Sequence, residues 1–241
     1  MNFVRLFFYF SFFIFHFIIS SCDKRDVRTY YFPLNQLQGK PKMYMYKCTS
    51  RDTSFNLYWA YETQIQGDSV FLTGQCFSPS FEKLLVSVES RQYNGMLLKD
   101  LEYYGADSTG KSVAKKVNIR AGAAFPFEIT DSTGVFVSNY QITDPKDTGH
   151  ITTVTRNRRF LRDTTVQFEG KKMPAIIFGL KEEQVEHDNK RGGWQHIFNI
   201  EEVYAQNIGL FSTKRFISDS ETFLMQLEKI ITLEEFERIK N

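Results

Sequence analysis

KLLVSVESRQYNGMLLKDLEYY, residues 83–104, places two strand-like runs on either side of Asn94-Gly95. Asn-Gly supplies the left-handed backbone that a two-residue hairpin turn needs, so this stretch predicts two antiparallel strands joined tightly. Working outward, the same grammar of short apolar or alternating runs and turn residues recurs on both sides. Upstream lie Met43–Cys48, Leu57–Ile65 and Val70–Cys76, the last two joined at Gln66-Gly67-Asp68. Downstream lie 113–120, 125–130, 135–143, 151–159, 164–168, 172–180, 196–205 and 209–217. No stretch before residue 219 carries a long 3.6-residue apolar period. The expected fold is mainly β: one antiparallel, curved open sheet or half-barrel over residues 34–241. Thr222–Ile231 reads as a strand or a helix, with the strand favoured. Thr232-Leu-Glu-Glu235 then has capping-box spacing and predicts a short C-terminal helix with Leu233, Phe236 and Ile239 on one face.

The other end of the chain concerns location. Arg5 precedes the uncharged, strongly apolar run Leu6–Ile19, which ends in Ser20-Ser21-Cys22. Fourteen residues are too few for a membrane span of about 20 and suit a secretory signal. Ile19-Ser20-Ser21-Cys22 resembles the lipobox of bacterial lipoproteins, in which small residues precede a cysteine. That resemblance implies a signal peptide over 1–21, cleavage before Cys22, and acyl chains on its thiol and new amino group. Several acyl chains, at about 0.8 kcal/mol per buried CH₂, hold a protein on a membrane durably. Residues 22–33 then read as a solvated tether. Asp23 after the cysteine signals inner-membrane retention in some bacteria, a rule that does not transfer across all Gram-negative groups. The expected location is the cell envelope, the outer membrane before the inner.

The whole chain has 241 residues, 42% hydrophobic and 24% charged, with net charge +2. That balance suits a globular body and gives no bulk attraction for nucleic acid. In an oxidising compartment the two remaining cysteines, Cys48 and Cys76, read as a possible disulfide, with buried free thiols the alternative.

GADSTGKS, residues 105–112, matches the P-loop pattern through Gly105, Gly110, Lys111 and Ser112. A working P-loop needs a helix after the glycine-rich turn. Here Val113, Val117 and Ile119 continue at a period of two, which is strand-like. DSTG recurs at 131–134, and Asp at the first position with Gly at the fourth marks a type I turn. The match is therefore read as hairpin chemistry, with no nucleotide cofactor.

Other constellations are weaker. Glu186, His187, Asp188 and His196 surround Gly192-Gly193 without any recognised metal-ligand spacing. Arg156, Arg158, Arg159 and Arg162 read as a solvated edge strand, with anion binding the alternative. There is no nucleophile elbow, and His150, His187 and His196 have no evident partner in sequence. Tyr204-Ala-Gln-Asn-Ile-Gly-Leu-Phe211 resembles the terminal hairpin of periplasmic half-barrel lipoprotein carriers of the LolA/LolB type. Physically, Gly209 marks a bulge or a place where a large side chain covers the backbone. The expected function is non-enzymatic: a lipid-anchored binding or structural protein meeting an envelope partner. The alternatives are a carrier holding a lipid or other hydrophobic ligand, and a hydrolase built on one of the three histidines.

Overall fold

The computed structural model describes residues 24–106, 112–130, 134–143, 149–188 and 192–240. The strands in chain order are β1 (Arg25–Asp26), β2 (Lys42–Thr49), β3 (Ser54–Gln66), β4 (Ser69–Phe77), β5 (Lys83–Gln92), β6 (Gly95–Ala106) and β7 (Ser112–Pro126). They continue as β8 (Glu128–Ile129), β9 (Phe136–Thr143), β10 (His150–Phe168), β11 (Lys171–Asp188), β12 (Gly192–Ala205), β13 (Gly209–Phe216) and β14 (Thr222–Thr232), followed by helix α1 (Leu233–Lys240). The expected hairpin is the β5–β6 pair, but Gln92 stands opposite Gly95, so the two-residue loop is Tyr93-Asn94 and neither Asn94 nor Gly95 has a positive φ.

The expected open sheet or half-barrel is closed. Twelve strands, all but β1 and β8, form one antiparallel barrel. The seam is β14, which pairs with β2 from Leu224 against Thr49 to Thr232 against Lys42. Each barrel strand thereby gains two neighbours, which removes exposed edges. Two of the expected breaks are also absent. Residues 151–159 and 164–168 belong to the single strand β10, in which Leu161 is accommodated as a bulge between Phe160 and Arg162. Likewise β7 runs unbroken to Pro126.

The C-terminal strand and helix follow the sequence. The Thr232 N–H donates to Glu235 at 2.9 Å and the Glu235 N–H to Thr232 Oγ1 at 3.2 Å, a reciprocal cap. Of the three expected face residues only Phe236 is buried, against Met43, Tyr58 and Ile231 on the outer wall.

Twelve strands enclose more room than the roughly eight whose own side chains fill a lumen. The chain supplies the filling. Residues 22–33, expected as a solvated tether, are from residue 24 onward part of the body. β1 pairs with β8, and Val27, Tyr31, Phe32 and Leu37 are buried. Main-chain bonds fix this plug: Val27 N–H to Phe127 O at 2.9 Å, Asn207 N–H to Thr29 O at 2.7 Å and Thr63 N–H to Leu37 O at 3.0 Å. Phe32 stacks 4.1 Å from Tyr61, and Tyr31 lies 5.1 Å from Phe125. Gly209 makes this possible. Its φ is +100°, and a Cβ there would stand 2.6 Å from Phe32 Cδ1, so the expected large side chain over the glycine is Phe32.

Cys48 and Cys76 are both buried and free, not bonded. β3 lies between their strands, with Cys48 opposite Phe55 and Cys76 opposite Trp59. Two strand spacings of about 4.8 Å exceed the Cα separation a disulfide accepts. Burial pushes the thiols up, to about 11 for Cys48 and about 12 for Cys76.

Strand register puts Glu62, Glu102, Arg120, Arg159, Lys181, Glu201 and Lys214 on the outer wall. A barrel that spans a bilayer needs an apolar outer belt, and charges there cost about 2–4 kcal/mol each at the midplane. This wall belongs in water. Among the described residues no helix is long and apolar enough to cross a membrane.

Gly209→Ala is expected to destabilise the protein by about 2–4 kcal/mol through overpacking and the left-handed backbone. Denaturant unfolding measures this. In the Phe32→Ala background the same substitution should cost clearly less, because the clash is with that ring.

Candidate functional site

Interior positions alternate along each strand between bulges, so register identifies what faces the lumen. On β10 these are Val154, Arg156 and Arg158, opposite Gln184, Glu182 and Leu180 of β11. β12 adds Ile200, Glu202 and Tyr204, and β13 adds Thr213 and Arg215. A layer of charge therefore crosses the barrel below the aromatic plug.

Its centre is Glu182, whose side chain is fully buried. Arg156 Nε donates to one carboxylate oxygen at 2.6 Å and Arg215 donates to the other at 2.5 Å. Gln184 Nε2 donates to it as well, at 2.7 Å. Burial works against the ionised carboxyl, but the two guanidiniums outweigh it and hold Glu182 below the usual carboxylate range. Next to it Arg158 donates to Glu202 at 2.7 Å, and the Tyr204 hydroxyl donates to the same oxygen at 3.0 Å. Arg158 Nε is buried without a hydrogen-bond partner. On the plug side the Tyr31 hydroxyl donates to Glu89 at 2.6 Å, and burial raises the Glu89 carboxyl.

At the end opposite the plug the layer borders a cavity of about 550 Å³. Arg156 and Arg215 line it with Glu202, Ile200, Phe223 and Met225, and Ser50, Ile217 and Glu221 stand at its rim. The two guanidiniums keep 35% and 29% of their side-chain area exposed while bonded to the buried carboxylate. Arg215 also lies over the Phe198 ring at 4.7 Å. Arg156 and Arg215 share the one buried carboxylate of Glu182 and are the cationic donors of a cavity that Glu202, itself bonded to Arg158, and Glu221 also line. That arrangement suits the anionic end of a small organic molecule.

The residues singled out in the sequence divide accordingly. Arg156 and Arg158, expected on a solvated edge, point inward, because closure leaves no edge and parity puts them opposite Glu182 and Leu180. Arg159 and Arg162 remain outside and exposed. His150 Nε2 is 3.3 Å from Glu186 Oε2 and its ring lies 6.4 Å from that of Trp194, at the mouth. His196 shares that inward parity, whereas His187 faces outward opposite Gly193. No group of three or more metal-ligating side chains forms among the described residues. Gly105 pairs with Val113 and Ala106 with Ser112, so a strand stands where a nucleotide loop needs a helix. Gly110 and Lys111 lie outside the described residues, as does Cys22. Glu182, Glu202 and Arg215 were missed, although Glu202 sits two residues from both Ile200 and Tyr204, Glu182 two after Leu180 and Arg215 two before Ile217.

No protein-family model matches the chain, and no curated protein matches it. Solved structures similar to it include a candidate lipoprotein from Parabacteroides distasonis, at 11% identity and TM-score 0.55, over 83% of this chain and 97% of that one. A candidate exported protein from Bacteroides fragilis, described as having a YmcC-like fold, is similar at 11% identity and TM-score 0.51, over 83% and 98%. At this identity the likeness is one of fold, and it extends over nearly the full length of both neighbours.

Glu182→Gln should lower stability by about 3 kcal/mol, since it leaves two guanidiniums facing a neutral amide. The pH dependence has a definite sign. A carboxyl whose folded value is depressed stabilises above its ordinary value of 4.5, and that contribution is lost as pH falls through the folded value. Acid unfolding of the parent should therefore steepen below pH 4.5, and the variant should lose that limb.

Proposed function

We propose that the protein is an exported, lipid-anchored binding protein of the cell envelope, outer membrane rather than inner, which receives a small organic anion in the open mouth of its barrel. The observation that carries the binding role is the Arg156–Glu182–Arg215 cluster, which presents two partly exposed guanidiniums to the half-apolar cavity at the mouth. The lipid-anchored part of the reading is supported by the resemblance of Ile19-Ser20-Ser21-Cys22 to a lipobox. Support also comes from the two structural neighbours, one described as a lipoprotein and the other as exported. The carrier of a purely hydrophobic ligand, weighed from sequence, fits less well. The deep aromatic half of the lumen is occupied by the plug, and the remaining space converges on charge. The role proposed is binding without catalysis: at His150 the neighbour is a carboxylate, with no hydroxyl donor to the ring among the described residues.

Two measurements test the two halves. Cys22→Ala should move the protein from the membrane fraction to the soluble fraction; retention in the membrane would point to an uncleaved N-terminal anchor instead. For the cavity, 8-anilinonaphthalene-1-sulfonate serves as an aryl anion probe. Saturable one-to-one binding is expected, weakened tenfold or more by Arg215→Met with the fold intact by circular dichroism. Binding unaffected by that substitution would remove the site.

A further inference from the structure

The plug fixes where the chain leaves the barrel, and so which end can approach a lipid surface. β1 begins at Arg25, three residues after Cys22, and is paired to β8 at the plugged end. Three residues span at most about 11 Å. The barrel strands run to 19 residues in β10. At about 3.3 Å per residue and a tilt near 40°, they put the open mouth on the order of 30 Å or more away. A chain anchored at Cys22 cannot bring the mouth to the bilayer without pulling β1 and the plug out of the lumen.

The surface beside that exit is suited to the boundary it would meet. A groove of about 600 Å³ opens there, lined by Arg28, Pro33, Leu34, Arg91, Tyr93 and Phe127 among others. Tyr93, at the tip of the β5–β6 hairpin, is 89% exposed, far more than any other large hydrophobic side chain described. Tyrosine is favoured where apolar chains meet headgroups, its ring in the boundary and its hydroxyl in water. Arg28 lies over the Phe127 ring at 5.4 Å. Two of the cations there are countered, Lys24 at 3.4 Å from Glu128 and Arg28 at 3.7 Å from Asp26, while Arg91 stands exposed on the groove.

We infer that the plugged end is a membrane-docking face, seated through Tyr93 and the adjoining groove on the headgroup region of the bilayer that holds the anchor. The inference rests on the lipid-anchored reading of Cys22. Because Lys24 and Arg28 are paired within the face and Arg91 is the groove's one further cation among the described residues, docking depends mainly on the short anchor and the aromatic tip, and little on anionic lipid. The mouth, with Arg156 and Arg215, then opens away from the bilayer, so its anion is taken from the aqueous side and not drawn from the membrane.

The test uses the full-length lipidated protein in phosphatidylcholine vesicles carrying doxyl-labelled lipid. A bimane fluorophore is attached at Gln92→Cys, beside the hairpin tip, or at Asp219→Cys, on an exposed turn at the mouth. Cys48 and Cys76 are buried and do not compete for the label. Quenching at position 92 should exceed that at 219 several-fold, should fall when Tyr93 is also changed to Ser, and should barely change when a third of the lipid is phosphatidylglycerol. Mass spectrometry of the same sample separates the claims. Acylated Cys22 with equal or reversed quenching overturns the docking face alone. An unmodified Cys22 overturns both it and the anchor.

Discussion

The structure depends on one geometric debt: a closed barrel of twelve strands has a lumen too wide for its walls to fill. An empty apolar lumen of that size would forfeit dispersion contacts along its whole lining. The chain meets the demand in two ways along one axis. At one end residues 27–37 enter as a plug whose aromatic rings interlock with Tyr44, Tyr61 and Phe125. Further along, large charged side chains span the space that rings do not reach, and each buried carboxylate there is matched by guanidinium or hydroxyl donors.

The two fillings are connected. Tyr31 belongs to the plug, yet its hydroxyl ends on Glu89. Glu89 in turn feels Arg158 and Glu202 across the lumen. Tyr46 and Tyr44 donate to the carbonyls of Leu210 and Ile208, tying β2 to the β12–β13 turn that carries Gly209. Removing the plug would therefore do more than open a hole. It would strip partners from the polar layer, where an unpaired buried group costs more than a lost contact between apolar surfaces. The plug and the charged layer are expected to behave as one cooperative unit for that reason.

How much of this was legible in the sequence follows from which signals are local. Turn chemistry is local, so the hairpin between Lys83–Gln92 and the following strand, the Thr232–Glu235 cap and the glycine at 209 were legible, although the hairpin turns on Tyr93-Asn94 and without the left-handed backbone expected of Asn94-Gly95. Closure is not local: nothing in Leu224–Thr232 says that it pairs with Lys42–Thr49, nearly two hundred residues away. The gap expected between 159 and 164 is bridged by the bulge at Leu161, which shifts the parity so that Asp163 falls opposite Ile176 and receives both guanidinium nitrogens of Arg25. The charged layer was half visible. Phe178-x-Leu180-x-Glu182 and Ile200-x-Glu202-x-Tyr204 place a carboxylate in step with core residues, which alternation alone marks as inward. What sequence could not supply was the partner, because Arg156 and Arg215 reach Glu182 from strands on opposite sides of β11. The segment after Cys22 misled for a related reason: Asp23–Arg28 is charged and reads as solvated, and only the lumen's need for filling explains why Val27 is buried within it.

The same constraint gives the molecule a direction. A barrel filled uniformly has two equivalent ends; this one is filled from the end at which its chain enters, so depth in the lumen and distance from the N-terminus are linked. The aromatic end is closed by residues that immediately follow the proposed anchor, and the cavity is what remains at the far end. An anchor so close to the plug can hold the barrel without deforming it only if tension on the chain is borne before it reaches Val27. The Arg25–Asp163 pair and the β1–β8 bonds stand at that point. They make the entry of the plug a mechanically defined place. On that account the small exposed sheet and its salt bridge, which contribute little to stability by themselves, mark the point at which the chain enters the packed lumen.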